Sequence, residues 1–391
     1  MSITPYSPWP SFSEEEIDKV SEILRSGRVN YWTGIEGRQF ETEFASFSDC
    51  RFGVACANGT VALDLAWMAL GIKTGDQVIV TSRSFIASVS SIVMAGGTPV
   101  FADIDLESQN ITVDTVEPLI TSKTRAICCV HLAGWPCDMI ALRDLADAHG
   151  LAIVEDCAQA HGARINGKSV GSFGDIAAWS FCQDKIMSTG GEGGLVTTNN
   201  EDHWRKMWEF KDHGKSYDSV YNKSHPPGFR WLHETFGTNW RLPEIQSAIG
   251  RIQLKLLPDW SRKRKKNAMQ IFEACHEHTV LRTPIPPADF DHAWYKAYAF
   301  LCPASQKKGW SRDRIMYEIT SSGVPCFSGS CSEIYNEKCF VDAGFSNDIT
   351  LPCAKQLGET SLMFLVHPTL TQDEIDKTCD VIKVVAERAT R

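Results

Sequence analysis

Leu151-Ala152-Ile153-Val154-Glu155-Asp156-Cys157-Ala158-Gln159-Ala160-His161-Gly162-Ala163 is the stretch whose reading decides the fold. Four apolar residues run into two acids, then into small residues carrying one amide. A short continuous apolar run bounded by polar turn chemistry reads as a strand buried on both faces. Similar runs stand at 52–56, 76–81, 98–102 and 125–130. Helical patterns separate them, at 61–70, from Ser84-Phe85-Ile86-Ala87-Ser88 to Gly96-Gly97, and at 140–149. Strand alternating with helix implies right-handed crossovers and a mostly parallel sheet, an α/β architecture. Binding groups of such sheets gather beyond the carboxyl ends of the strands.

Outward from this centre the chain changes texture. Ser13 followed by three glutamates is a helix start, with a cap and acids in the first turn. Residues 28–38 are too irregular for an element and read as a loop that touches ligand or partner. Residues 40–47 and 204–211 are helical in pattern, and 243–257 strongly so. Residues 215–236, rich in Pro, Gly, His and aromatics, read as a long ordered loop. Pro258 ends that pattern. After it come a charged helix at 259–277, a strand at 297–301, a helix at 312–322, a turn at 349–352, a strand at 362–366 and an amphipathic helix at 372–389. The expected division is a large domain, 1–258, and a smaller α+β domain, 259–391.

Composition excludes several classes. Of 391 residues, 43% are hydrophobic and 22% charged, as in ordinary globular proteins. No apolar run is long enough to cross a bilayer, and Met1-Ser2-Ile3-Thr4-Pro5 lacks the layout of a signal peptide. A cytoplasmic protein without membrane attachment is expected. A net charge of −9 argues against nucleic acid as a main partner. The basic run Arg262-Lys263-Arg264-Lys265-Lys266 reads as a solvated helix end. Fourteen cysteines include no Cys-x-x-Cys, and Cys128 and Cys129 are adjacent, so they read as reduced packing residues. His276-Glu277-His278 lacks a third ligand at useful spacing, and no metal is expected.

The chemistry lies between 154 and 194. An acid directly after a buried strand needs a partner, because a lone buried carboxylate is costly. For Asp156 that partner is a structural cation or cap, or the protonated pyridine of pyridoxal phosphate (PLP), which a carboxylate keeps protonated. Lys185 is an ordinary solvated lysine or an amine that condenses with an aldehyde. Ser180 precedes it and can donate to a phosphate. Gly190-Gly191-Glu192-Gly193-Gly194 follows and lets backbones approach closely. Asn58-Gly59-Thr60, between a strand and a helix, has the layout that aims backbone N–H groups at an anion. Phe85 packs in the core or stacks on a ring. Gln159 is structural or reaches the cofactor's phenolic oxygen.

Taken in order, these residues resemble the DegT/DnrJ/EryC1/StrS family of PLP-dependent nucleotide-sugar aminotransferases. The matching text is Asn58-Gly59-Thr60, Ser84 to Ser88, Glu155-Asp156-Cys157-Ala158-Gln159-Ala160, Gly171 to Asp175, Ser180-Phe181 with Lys185, and Gly193-Gly194. Asn239-Trp240-Arg241-Leu242, Glu244-Ile245-Gln246, Leu351-Pro352 and His367-Pro368 extend it over nearly the whole chain. The resemblance implies the aspartate aminotransferase fold, type I. It implies Gly59, Thr60 and Ser180 as phosphate ligands and Phe85 as the stacking aromatic. Asp156 would face the pyridine nitrogen and Gln159 the ring oxygen. Lys185 would bind the aldehyde and then move the proton. Asn239 would reach the phosphate in a neighbouring subunit, implying a homodimer with shared sites.

The implied reaction moves an amino group from L-glutamate to a nucleotide-linked keto-sugar, feeding lipopolysaccharide, capsule or antibiotic sugars. The text from Lys185 to Gly194 leans toward members that aminate C4, although it carries an extra glycine. Phe327-Ser328-Gly329-Ser330-Cys331 departs from the His/Tyr-containing substrate loop of many members, and residues 217–236 have no counterpart. Two rivals share the fold: an aminotransferase acting on a cyclitol ketone, and a noncatalytic PLP-fold sensor. A dinucleotide-binding oxidoreductase is disfavoured, since Gly190 to Gly194 does not open a helix after the first strand.

Overall fold

Residues 6–228, 230–346 and 349–391 are described by the computed structural model. The apolar runs form strands β1 (Phe52–Cys56), β2 (Gln77–Thr81), β3 (Thr98–Ala102), β4 (Thr124–Val130) and β5 (Ala152–Asp156). A small hairpin, β6 (Arg164–Ile165) and β7 (Lys168–Ser169), precedes β8 (Ile176–Ser180) and β9 (Gly194–Thr198). The main sheet has the order β1-β9-β8-β5-β4-β2-β3, so β5 is its middle strand. Only β9 runs antiparallel to its neighbours. This is an α/β fold with a mostly parallel central sheet.

Side chains alternate across the pleat, so each strand feeds two cores. Val78, Val80, Cys128 and Val154 pack with the helices Gly59–Leu70 and Ala87–Met94. Ile79, Ile127, Cys129 and Ile153 pack on the opposite face with the helix Met139–His149. All fourteen cysteines are free, and eight are buried. Burial pushes the Cys128, Cys129 and Cys157 thiols up, so they pack as small hydrophobes.

A second sheet gathers the C-terminal strands β10 (Leu281–Arg282), β12 (Ala297–Leu301), β13 (Cys326–Phe327) and β14 (Ser361–Phe364), all antiparallel. Its core includes Phe272, Trp294, Leu362 and Ile382. The short β11 (Phe290–Asp291) leaves this unit and pairs with β6. Among the described residues no helix is long and apolar enough to cross a membrane.

Four expectations need correction. The helical pattern does not stop at Pro258. One helix, Glu244–His276, runs 33 residues through it. Proline removes one backbone bond at a cost of about 3 kcal/mol. Burial on both sides outweighs that: Leu254 and Leu257 pack with Phe40 and Phe44, Ala268 and Ile271 with the C-terminal unit. The expected boundary at 258/259 therefore falls inside a helix. The basic run is not wholly solvated, because Arg264 is buried under the Trp9 ring and donates to the Tyr295 carbonyl at 3.3 Å. Residues 217–236 contain a short helix, Tyr217–Tyr221 (Phe229 lies outside the described residues). A helix, Pro352–Thr360, begins at the end of the expected turn 349–352. The N-terminal segment also crosses over, Tyr6 Oη meeting Thr378 Oγ1 at 2.9 Å.

Gly250 lies inside the long helix, where alanine would ordinarily stabilise by about 0.5–1 kcal/mol. Here an added Cβ would sit 2.7 Å from the Phe40 ring, which Phe44 and Phe181 hold in place. Overpacking should win, and Gly250→Ala is expected to lose about 1–3 kcal/mol. Thermal unfolding measures it. A higher melting temperature would show that the Phe40 ring yields.

Candidate active site

The helix Gly59–Leu70 follows β1 directly. Asn58 caps it, its Oδ1 accepting from Val61 N at 3.0 Å. The Gly59 and Thr60 N–H groups are left at the positive end of the helix. Gly59 must be glycine, since a Cβ would lie 2.6 Å from the Ser180 Cβ. The first residue of β9, Gly194, is packed as closely, and a Cβ there would overlap the Asn58 carbonyl. These contacts bring Ser180 against the turn. The close approach expected of the glycine-rich segment is thus made by Gly194 against Asn58.

Asp156 is the last residue of β5 rather than the residue after it. It is 5% exposed, with Oδ2 accepting from Ser88 Oγ at 2.7 Å and Oδ1 from Ala158 N at 3.1 Å. Ser84 Oγ lies 2.8 Å from Ser88 Oγ and completes a hydroxyl relay. Gln159 Oε1 accepts from Ala133 N at 2.7 Å, which leaves its amide NH₂ as the group available to a ligand. Ala133 sits at φ 58°, a left-handed conformation costing about 1 kcal/mol. That geometry sends its N–H to Gln159 and its carbonyl to Tyr295 N at 2.9 Å.

Lys185 lies in the turn after β8. Its carbonyl accepts from Trp9 Nε1 at 2.8 Å, so the N-terminal segment holds its backbone. Its Nζ is 3.9 Å from Asp184 Oδ1 and 5.1 Å from the Tyr295 ring centre. Tyr295 Oη donates to Asp184 Oδ2. Burial opposes ionisation of Asp184, but Lys185, the Tyr295 hydroxyl and Lys296 together hold its carboxyl below the usual range.

Gly59, Thr60, Phe85, Asp156, Gln159, Ser180 and Lys185 all line one cavity of about 570 Å³. Phe85 is not a core residue, for it is 65% exposed at the cavity wall. Asn239 does not line this cavity; it lies exposed, bridged to Asp212. A second cavity, of about 580 Å³, shares Ser84, Phe85, Gln159, Asp184 and Lys185 with the first. Tyr295, Lys296, Phe327 and Ser330 form its far side. Residues 28–35 do not reach either cavity, and the Glu244 carboxylate ties the following helix start by accepting from Glu36 N and Gly37 N.

Sequence reasoning missed Trp9, Ser88, Tyr295 and Lys296, and it missed Glu155 as an organiser. Ser84 and Ser88 carried a signal, four residues apart and so on one helix face. Glu155 faces away from the cavity. Its carboxylate accepts from His131 Nε2 at 3.0 Å and from the N–H groups of Gly171, Phe173 and Gly174 at 2.7, 2.9 and 2.6 Å. His131 Nδ1 accepts from Cys137 N, which fixes the proton on Nε2. His131, Glu155 and Cys157 are the one metal-like cluster among the described residues. These four donors already account for the carboxylate. Burial opposes ionisation of Glu155, and the bonds from His131 and the loop N–H groups hold its carboxyl below the usual range.

A carboxylate, an amide NH₂, a lysine amine, a hydroxyl and a helix N-terminus converge beyond the carboxyl ends of parallel strands. That donor set fits PLP, whose ring nitrogen, ring oxygen, aldehyde and phosphate each need one of these groups. Fold and site together define a PLP-dependent aminotransferase of fold type I. Residues 10–383 match the DegT/DnrJ/EryC1/StrS aminotransferase family, and the chain belongs to it. An aminotransferase from Psychrobacter cryohalolentis superposes with a TM-score of 0.97 at 57% identity, covering 98% of this chain and 100% of that one. The chain is also 32% identical to a GDP-perosamine synthase of Escherichia coli O157:H7, over 95% of this chain and 96% of that protein. It is 34% identical to a UDP-N-acetyl-3-dehydro-alpha-D-glucosamine 3-aminotransferase of Acidithiobacillus ferrooxidans, over 95% and 93%.

Glu155→Gln keeps the shape and removes the charge that three loop N–H groups and His131 address. It should cost roughly 2–4 kcal/mol at pH 7, read from urea midpoints. Because the folded carboxyl titrates below its ordinary value of 4.5, its stabilisation is complete above that value. The gap between wild type and variant should narrow below pH 4.5 and close below the folded pKa. A gap independent of pH would mean the charge contributes nothing.

Proposed function

We propose that the protein transfers the amino group of L-glutamate to a ketone carbon of a nucleotide-linked sugar, in the making of a surface polysaccharide or a similar amino-sugar product. The observation that carries this reading is the pair of joined cavities sharing Lys185 at their junction. The first suits a cofactor; the second adds about 580 Å³, room for a substrate larger than an amino acid. Similarity to enzymes named for a GDP-linked and a UDP-linked sugar supports the substrate class. The Lys185–Gly194 text supports a 4-keto-6-deoxy sugar as acceptor.

When bound, PLP supplies an aldehyde for the amine of Lys185 and a ring that accepts electrons from the reacting bond. Gly59, Thr60 and Ser180 hold the phosphate with two backbone N–H groups and a hydroxyl. Phe85 covers one ring face. Asp156, steadied by Ser88 and Ala158, keeps a proton on the ring nitrogen, and the Gln159 NH₂ donates to the ring oxygen. The Lys185 amine moves the proton between cofactor and substrate carbons in both half-reactions. Asn239 serves the site of a second copy in a homodimer. Its exposure, three residues after Phe236, whose side chain is 99% exposed, supports this.

Single-turnover amination of a panel of UDP-, dTDP- and GDP-linked keto-sugars tests the reading. At least one should be aminated with L-glutamate as donor, and NMR of the product assigns the carbon. Lys185→Ala should slow both half-reactions by at least about 10²-fold. Mixing Lys185→Ala and Asn239→Ala protomers should restore activity above either parent, because hybrid dimers hold one intact site. Turnover only of a free cyclitol ketone would sink the nucleotide-sugar reading.

A further inference from the structure

The two joined cavities are lined by just two cationic side chains among the described residues, Lys185 and Lys296. Lys185 is committed to the cofactor aldehyde. Lys296 comes from β12's leading segment, beside Tyr295, and its role is otherwise unexplained. Its ammonium lies 4.8 Å from the centre of the Tyr295 ring, and the Lys185 ammonium lies 5.1 Å from the same point. The two amines are therefore at most about 10 Å apart. Lys296 makes no ion pair within 4.0 Å among the described residues. Asp184 is the acid that acts on it, and Lys185 and the Tyr295 hydroxyl address that same carboxylate. A half-buried cation that only shares a counter-ion at longer range is stabilised when a ligand brings a further negative charge.

An amino-acid donor brings such a charge to this place. Its α-carboxylate is bonded to the carbon whose proton Lys185 moves, so it must lie beside that amine. A sugar diphosphate is also anionic, but it hangs from the sugar away from the ketone, and Glu337 adds a like charge to the second cavity. We propose that Lys296 is the residue that receives a carboxylate of the amino donor, positioning the donor's reacting carbon against Lys185. This rests on the reading that the donor is an amino acid such as L-glutamate.

The position carries a pH signature. Burial pushes the Lys296 amine down to about 8, with Arg264 and Lys185 adding to the effect and Asp184 opposing it. The other groups facing it are Tyr295, whose hydroxyl is bonded to Asp184, and His367, pushed down to about 3 and so neutral. A carboxylate binds the charged amine. Affinity should hold below pH 8 and fall by up to about tenfold per pH unit above it.

The test uses the PLP-loaded enzyme and glutarate, a dicarboxylate without an amino group, titrated by calorimetry from pH 6.5 to 9.5. A second arm follows the donor half-reaction with L-glutamate by cofactor absorbance, and a third the acceptor half-reaction with the keto-sugar panel. Lys296→Gln is expected to weaken glutarate at least tenfold and to raise the half-saturating L-glutamate concentration by the same factor. The limiting rate should change far less, Lys296→Arg should recover most of the loss, and the fall above pH 8 should vanish in Lys296→Gln. Unchanged glutarate binding in Lys296→Gln overturns the proposal. So does a loss confined to the keto-sugar arm, which would assign Lys296 to the diphosphate. If Lys296→Gln does not fold, wild type and Lys296→Arg decide, because arginine should keep glutarate affinity flat through pH 9.5 while wild type falls. A wild type inert toward every keto-sugar would sink the acceptor reading and leave the glutarate and glutamate arms intact.

Discussion

Two neighbouring carboxylates are buried at the end of the sheet's middle strand, and neither can stay there unpaired. Strand geometry turns Glu155 and Asp156 to opposite faces. Glu155 is satisfied within the protein, by His131 and by the loop from Gly171 to Gly174. That loop leads into β8, which ends at Ser180 and is followed by Lys185. One buried charge thus sets the path of the chain that carries the reactive amine. Asp156 is supported by one hydroxyl and one N–H, and it keeps capacity for a ligand in the cavity.

The site is assembled from both structural units. Ala133 illustrates the coupling, since its N–H serves Gln159 and its carbonyl serves Tyr295. Tyr295 in turn bonds Asp184 beside Lys185. The C-terminal unit therefore supplies the wall against which the lysine lies. The helix Glu244–His276 makes this possible by running unbroken between the two cores, and Trp9 ties the N-terminus across the same junction. Arg264 is buried at that junction, its pKa pushed down to about 9 by burial.

Much of the fold was legible because it depends on local pattern. Apolar runs at 52–56 and 98–102 became strands with the same limits, and the terminal helix Gln372–Ala389 matched its amphipathic period. The cap at Ser13 and the acids of the first turn formed as expected, and Glu16 adds a capping box. The failures share a cause. At Pro258 and in the run from Arg262 to Lys266, packing on distant elements overrides local propensity. The turn expected at 349–352 stops at Pro352, although proline is well tolerated in a first helical turn and the helix Pro352–Thr360 starts there.

The sequence by itself determined the alternation of strands and helices, the family, and which side chains could serve a PLP cofactor. Those are properties of residue type, spacing and order. Only the tertiary structure decided which groups meet. Glu155 and Asp156 read alike in the chain, yet the pleat gives one to the protein interior and the other to the cavity. Lys296 lies 111 residues beyond Lys185 and matches no motif. Its place beside the reactive amine follows from the long-range packing of Tyr295 on Asp184, which no local pattern encodes.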